Sequence, residues 1–428
     1  MTTPNILVVL TDQQTATALS CAGNPDLNTP HLDQLAARGT RFNWAYCTQP
    51  LCTPARASLW TGRTPTECGV RFNGRRLAER VAGDQAGVLL SRAGYDCGYA
   101  GKWHLPELDA PEHSGFRQVH AEREDGLVDS CTTFLSESRC RPFFLVASLT
   151  EPHGICQWAR GQTPPSGSLP VPEPDDWPAL PANYAVPSYE AAMPVLARSA
   201  TPHAYPTEGW DEDQWRRYRY AYYRLCERAD AQVGALLDAL RTSGQEDGTV
   251  VIFSSDHGDQ LGAHQWNQKW VLYEESLRVP LIAAGPGFSP GEICDDLISV
   301  GLDLMPTLCA IADVQPPDGL TGRSLMDRDA PVRETLFAET AWEVADVPHL
   351  TGRSVRDQRY KYTCYAWGRN REQLVDLEND PGEMSNLSSL GSQAERLDQM
   401  RQLLRAEALR VDDHKLAGFI PDAGAAAR

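Results

Sequence analysis

Cys52-Thr53-Pro54-Ala55-Arg56 gathers the side chains of this sequence best suited to chemistry. Pro54 is pre-set for the first turn of a helix, Thr53 before it predicts an N-cap, and Ala55 through Trp60 can continue the helix. Cys52 is therefore expected at a helix N-terminus. Exposed amide groups and the positive end of the helix dipole there favour a thiolate or a bound anion, and Arg56 adds a permanent charge one turn later. Taken alone, such a segment reads first as a buried structural cysteine ahead of an ordinary helix, so its companions elsewhere in the chain have to decide.

Those companions follow apolar runs. Asn5 to Leu10 has the unbroken apolar character of a strand buried on both faces of a parallel sheet, and it ends in Thr11-Asp12-Gln13-Gln14. A strand over Tyr95 to Ala100 runs into Gly101-Lys102-Trp103-His104, and one over Phe143 to Ser148 runs into Thr150-Glu151-Pro152-His153. Thr249 to Ser254 ends in Ser255-Asp256-His257-Gly258-Asp259, and Lys269 lies a little downstream. The carboxyl ends of the strands are where open α/β sheets bind their ligands. Asp12 and Asp256 with the Gln13 amide and the His257 imidazole suit a divalent cation with mostly oxygen ligands, Ca²⁺ first and Mg²⁺ or Mn²⁺ as alternatives. Zinc is less natural without more His or Cys.

The positioning elements can be read in outline. Helices are predicted over 29–39, 86–93, 215–241, from 302 and over 394–409, and a further strand over 279–283. Residues 155–212 are dense in proline and low in charge, and carry Trp158, Trp177, Tyr184, Tyr189, Tyr205 and Trp210; an ordered insertion that shapes a pocket wall is expected. From about residue 330 the pattern changes to short strands and a late helix. This gives a catalytic α/β domain over 1–330 and a smaller C-terminal subdomain over 331–428.

With 39 basic and 57 acidic side chains among 428 residues, the net charge of −18 speaks against nucleic acid or an anionic membrane as partner. An anionic substrate must then be drawn in by a local basic cluster. The twelve cysteines are scattered without a C-x-x-C pair, which argues against a disulfide scaffold. The apolar run Ile6 to Leu10 is too short for a signal sequence or a membrane span, so a cytoplasmic location is expected, or a periplasmic one if a leader was removed.

In these motifs the chain resembles the sulfatase family of the alkaline-phosphatase superfamily. The resemblance runs through Pro4-Asn5-Ile6 to Gln14, Cys52 to Arg63 ending in Thr61-Gly62-Arg63, Gly94-Tyr95 to His104, and Ser255 to Asp259. It continues in Leu272 to Pro280 and in Asp376 to Glu383. It implies an α/β fold with a large mixed, mostly parallel central sheet flanked by helices, and a C-terminal α+β subdomain containing a short antiparallel sheet. It also implies that a maturation enzyme oxidises Cys52 to formylglycine, whose hydrate attacks the sulfur of a sulfate ester and then collapses to release sulfate. Asp12, Gln13, Asp256 and His257, with residue 52 itself, would hold the metal. Arg56 would neutralise the oxygens formed at residue 52, Lys102 and His104 would face them with His104 as base, and His153 and Lys269 would grip the sulfate and protonate the leaving alcohol. The expected substrate is a sulfated carbohydrate. Gln13 and His257 stand where many members have an acid and an asparagine, a pattern shared with hydrolases of phosphonate monoesters and phosphodiesters; choline-sulfate hydrolases are also near. A catalytically silent sulfate-binding relative is the reading from another class, and the number of subunits is left open.

Overall fold

The computed structural model describes residues 3–106, 110–121, 125–171, 173–201, 204–327, 329–342 and 351–425. Its strands are β1 Asn5–Asp12, β2 Gly39–Tyr46, β3 Asp96–Gly101, β4 Arg117–His120, β5 Phe143–Pro152, β6 Thr249–Ser255, β7 Leu281–Ala284 and β8 Glu292–Ser299, followed by β9 Leu336–Ala341, β10 Thr351–Arg356, β11 Tyr360–Tyr365 and β12 Glu372–Asp376. The first eight form one sheet in the order β4-β3-β5-β1-β6-β7-β2-β8. Every neighbouring pair in it is parallel except the two that involve β7, so β7 alone runs against the rest. The last four form an antiparallel sheet in the order β12-β11-β10-β9. A large mixed, mostly parallel sheet and a small antiparallel one are thus both present.

The apolar run of β1 is divided between two cores. Ile6, Val8 and Leu10 pack on one face of the sheet with Phe144, Val146, Val250 and Ile252, beside Trp60 and Met305 of the helices Cys52–Thr61 and Val300–Ile311. Leu7 and Val9 pack on the other with Leu145, Val251 and Phe253, under Val233, Leu236 and Leu240 of the long helix Glu212–Thr242. Two-sided burial is the reason the run shows no alternation. That long helix starts earlier than its apolar stripe alone indicates. Asp211 accepts from the Gln214 amide and Gln214 reaches back to the Asp211 amide, a capping box that satisfies the first turn.

The helix carrying Cys52 differs from the sequence expectation. It spans Cys52–Thr61 with Leu51 at the N-cap, so Thr53 is not the cap and Pro54 is the third helical residue. The Ala55 amide already bonds the Leu51 carbonyl at 3.0 Å. Pro54 is tolerated there because first-turn amides have no intrahelical acceptor, and Thr53 spends its hydroxyl on the His104 carbonyl at 2.7 Å. β2, β4, β8, β10 and β12 had no strand assignment from sequence; β4, β8 and β12 are edge strands, and polar residues break the apolar pattern of the internal β2 and β10. The insertion contains the helices Ile155–Ala159 and Ala192–Ala200. Among the described residues no helix is long and apolar enough to cross a membrane.

Candidate active site

The order β3-β5-β1-β6 sets four parallel strands side by side, so the residues following their carboxyl ends converge. Asp12 closes β1, Lys102 and His104 follow β3, His153 follows β5, and Asp256 and His257 follow β6. Cys52 enters from the adjacent helix start, and Lys269 from the loop before β7. Asp12, Cys52, Asp256 and His257 are all buried and can each offer one ligand atom, with these atoms within 4.8 Å of one another. The Cys52 Sγ is 3.3 Å from His257 Nε2, 3.1 Å from Lys269 Nζ and 3.9 Å from Asp12 Oδ1.

The acids are fixed by cations and by backbone. Arg56 is fully buried: its Nε donates to Asp256 Oδ2 at 2.9 Å and Nη2 to Asp12 Oδ2 at 3.2 Å, while Nη1 donates to the Lys102 carbonyl at 2.7 Å and to Ser148 Oγ at 2.8 Å. Those bonds tie Arg56 to both carboxylates, with Cys52 a further charge neighbour and not a hydrogen-bonding partner in those bonds. Lys102 Nζ lies 2.5 Å from Asp12 Oδ2. Asp256 Oδ1 accepts the Gln13 amide at 3.0 Å and the His257 amide at 2.9 Å. The Gln13 backbone is left-handed, with φ of 72°, which turns the chain sharply enough at the strand end for that bond to form.

Electrostatics follow from burial among charges. Burial and the neighbouring Cys52 would push the Asp12 carboxyl up, but Lys102, His153 and Lys269 hold it well below the usual carboxylate range. Burial likewise would raise the Cys52 thiol, yet Lys269, Lys102 and His257, with a hydrogen bond to His104, bring it well below its ordinary value. Lys102 and Lys269 are shifted upward against the effect of burial, Lys102 by Asp12 and then Cys52, Lys269 by Cys52 and then Asp12. Burial opposes charge on His153, but Cys156 and Asp12 raise it to about 9. The pocket is therefore a dense alternation of fixed charges prepared for an anion.

Each residue expected at the site lies in or beside this cluster, with three differences of detail. Arg56 has just been described. The segment after β3 is not extended at His104, whose φ is 58°; the turn sends Lys102 to Asp12 and leaves the half-buried His104 on the Cys52 side. Gln13 directs its Oε1 at Lys269 Nζ, 2.8 Å away, and not at the carboxylates. Three further residues carried no sequence signal of their own. Cys156 donates to Gln268 Oε1 at 3.2 Å and Gln13 Oε1 at 3.5 Å, Ser148 receives Arg56, and Asp259 accepts Gln13 Nε2 at 2.7 Å. Asp259 belonged to a quoted motif, but nothing in its spacing pointed to Gln13.

The insertion touches this centre through Cys156 and through Tyr205, whose hydroxyl donates to the Lys269 carbonyl at 3.2 Å. It also walls two hollows, one of about 560 Å³ with Arg198, Tyr205 and Trp210 and one of about 770 Å³ with Trp158, Trp177, Trp210 and Arg217. Residues of the strand-end cluster line neither of them.

The donor set fits a divalent cation. His257 Nδ1 lies 3.0 Å from the Gly258 carbonyl, which takes the ring proton and leaves the Nε2 lone pair facing Asp12, Asp256 and Cys52. Two carboxylates, an imidazole and the group at position 52 could then each offer such a cation one ligand atom.

A family model described as "Sulfatase" matches residues 4–314, and one described as "N-sulphoglucosamine sulphohydrolase, C-terminal" matches residues 262–410. A Delta 4,5-hexuronate-2-O-sulfatase of Bacteroides thetaiotaomicron is 30% identical over 441 residues, covering 96% of this chain and 90% of that protein. The structure of a 2-O GAG sulfatase superposes with a TM-score of 0.85 at 29% identity, over 97% of this chain and 94% of the other. A phosphonate monoester hydrolase of Agrobacterium radiobacter shares the fold, with a TM-score of 0.77 at 23% identity over 95% and 96% of the two chains.

Proposed function

This chain belongs to the sulfatase family, hydrolases of sulfuric esters, and from that premise we propose that its substrate is a sulfated carbohydrate and that Cys52, oxidised to formylglycine by a maturation enzyme, carries the reaction. The observation that carries the reading is the position of Cys52 Sγ, within 3.1 Å of Lys269 Nζ and 3.3 Å of His257 Nε2 at the first turn of a helix and beside two buried aspartates. With the aldehyde formed at position 52, its hydrate would supply one hydroxyl to attack sulfur and a second whose deprotonation would expel sulfate and restore the aldehyde. Asp12, Asp256 and His257 would hold the metal together with residue 52, while the Gln13 amide oxygen is engaged by Lys269; Ca²⁺ is the first choice. Held there, a cation would supply Lewis acidity and would favour ionisation of a hydroxyl at position 52.

The chain's own groups do the rest. Arg56 sets the spacing of Asp12 and Asp256. Lys102, paired with Asp12, and Lys269, beside Cys52, balance negative charge around residue 52, and Lys269 is placed to hold a sulfate oxygen. His104, hydrogen-bonded to residue 52, is the base for the second hydroxyl. His153, protonated below about 9, is the proton donor to the departing alcohol. The saccharide reading is supported by the hexuronate and GAG sulfatases to which the chain is similar.

The Gln13 and His257 pair favours one second reading, hydrolysis of a phosphonate monoester or phosphodiester on the same scaffold. Purified matured protein should be assayed on sulfated uronate disaccharides, aryl sulfate, aryl phosphonate and aryl phosphodiester. Faster turnover of a sulfate ester is expected; a larger kcat/KM on the phosphonate would replace the first reading with the second. Mass spectrometry of the tryptic peptide Phe42 to Arg56 should find the aldehyde at Cys52 and an unmodified Cys47, and a Cys52 that stays a thiol alongside full activity would remove formylglycine from the mechanism.

A further inference from the structure

Gln13 has one oxygen to offer where an acid would have two, so which end of its amide faces Lys269 is decisive. Its Nε2 donates to Asp259 Oδ2 at 2.7 Å and its Oε1 accepts from Lys269 Nζ at 2.8 Å. The ammonium is a donor only and the carboxylate an acceptor only, so the two partners impose the same orientation. The other hydrogen-bonding partners of Asp259 among the described residues are also donors. Leu261 N approaches Oδ1 at 2.8 Å, and the Tyr218 hydroxyl lies 3.1 Å from Oδ1 and 2.9 Å from Oδ2. Tyr218 is itself turned toward Asp259 because its oxygen accepts from Gln268 N at 3.3 Å. Tyr218 and Asp259 are fully buried, and Trp158, Trp210 and Trp215 pack around the Tyr218 ring.

We propose that Asp259, held by Tyr218 and Leu261 N, is a positioning residue that fixes the Gln13 amide and through it keeps the Lys269 ammonium beside residue 52. This rests on the sulfatase reading for what Lys269 does there, whereas the hydrogen-bond chain stands on geometry alone. The design has a counterintuitive consequence. In Asp259→Asn the side chain keeps its shape but has a single oxygen. Leu261 N cannot turn away, so that oxygen stays with it and the new amide NH₂ faces Gln13. Gln13 must then present Oε1 to Asn and Nε2 to Lys269, donor against donor, which drives the ammonium from its place. In Asp259→Ala the acceptor is lost, but nothing forces Gln13 to reverse.

The test compares D259N, D259A and the exchange Q13E/D259N in matured, Ca²⁺-loaded protein. It measures kcat and KM on an aryl sulfate, the affinity for inorganic sulfate by calorimetry, and the melting temperature. D259N is expected to lose about 10–100-fold in kcat and to bind sulfate more weakly, with D259A less affected in both. Exchanging the acid and the amide restores a donor for every acceptor, so Q13E/D259N should recover sulfate affinity relative to D259N. A D259N that keeps kcat and sulfate affinity within about twofold, or a D259A worse than D259N, overturns the proposal, because loss graded by shape alone is the mark of a merely structural role. If D259N unfolds, the exchange variant decides: sulfate binding supports the orientation argument and its loss overturns it. A wild-type protein that neither cleaves sulfate esters nor binds sulfate would instead overturn the sulfatase reading.

Discussion

Cys52 and Arg56 are one helical turn apart and both fully enclosed, yet their surroundings assign them opposite consequences on substitution. Under the proposed mechanism Cys52→Ala would remove the precursor of the nucleophile, together with a sulfur that sits among cations. Turnover should vanish while the melting temperature stays within a few degrees, as measured by calorimetry on the same preparation; residual activity near wild type would exclude the nucleophile role. Arg56→Met strips both Asp12 and Asp256 of their buried partner, at a cost of about 3–5 kcal/mol in urea unfolding in addition to lost activity. The sequence singled out both residues from type and spacing. It could not indicate that Arg56 serves the acids first, because Asp12 and Asp256 are 244 positions apart and meet only through the pairing of β1 with β6.

At the level of elements, the active residues depend on how strands end. Gly101 closes β3 with a φ of 91°, and a Cβ there would stand 2.1 Å from the Ser148 carbonyl oxygen. That same carbonyl receives the Lys102 amide at 2.9 Å. Gly101→Ala therefore has to displace β3 from β5 or abandon the left-handed turn. A loss of about 1–2 kcal/mol in denaturant unfolding and a larger fall in kcat are expected, since Lys102 and His104 lie directly beyond the turn. The buried strands were legible because burial on both faces writes an unbroken apolar run, as in β1, β5 and β6. Strands such as β2 and β10 were not, because Arg41, Asn43, Arg353 and Arg356 break the pattern and find their partners only across the fold. Arg353, for example, pairs with Glu339 and Asp413. The Cys52 helix began two residues earlier than local propensity indicated, since tertiary bonds to Thr53 outweighed its use as a cap.

For the whole molecule, two kinds of charge burial hold distant segments together. Lys361 of β11 is buried with its Nζ 3.0 Å from Glu274 Oε1 and 2.5 Å from Glu383 Oε1, joining the small sheet to the short helix Glu274–Leu277 before β7. Lys361→Met takes the shared cation from Glu383 and leaves Glu274 with Arg356 and the Tyr46 hydroxyl, and should cost about 3–5 kcal/mol, read as a lowered urea midpoint. At the other pole, Asp12, Asp256 and His257 are crowded in a way that a bound cation relieves. Chelation should lower the melting temperature and abolish activity, and Ca²⁺ at about 100-fold over its dissociation constant should return about 2.7 kcal/mol. Equal or better recovery with Mn²⁺ would change the choice of ion. The sequence by itself determined which residue types were available and on which strands and helix they stood, because strand burial, proline and glycine punctuation and a Cys-Pro-Arg spacing are local properties. Only the tertiary structure decided which of those residues touch. The strand order β3-β5-β1-β6 selects the neighbours, and the rotamers of Arg56, Gln13 and Asp259 answer to partners that loop closure brings from hundreds of residues away, where no local pattern can record them.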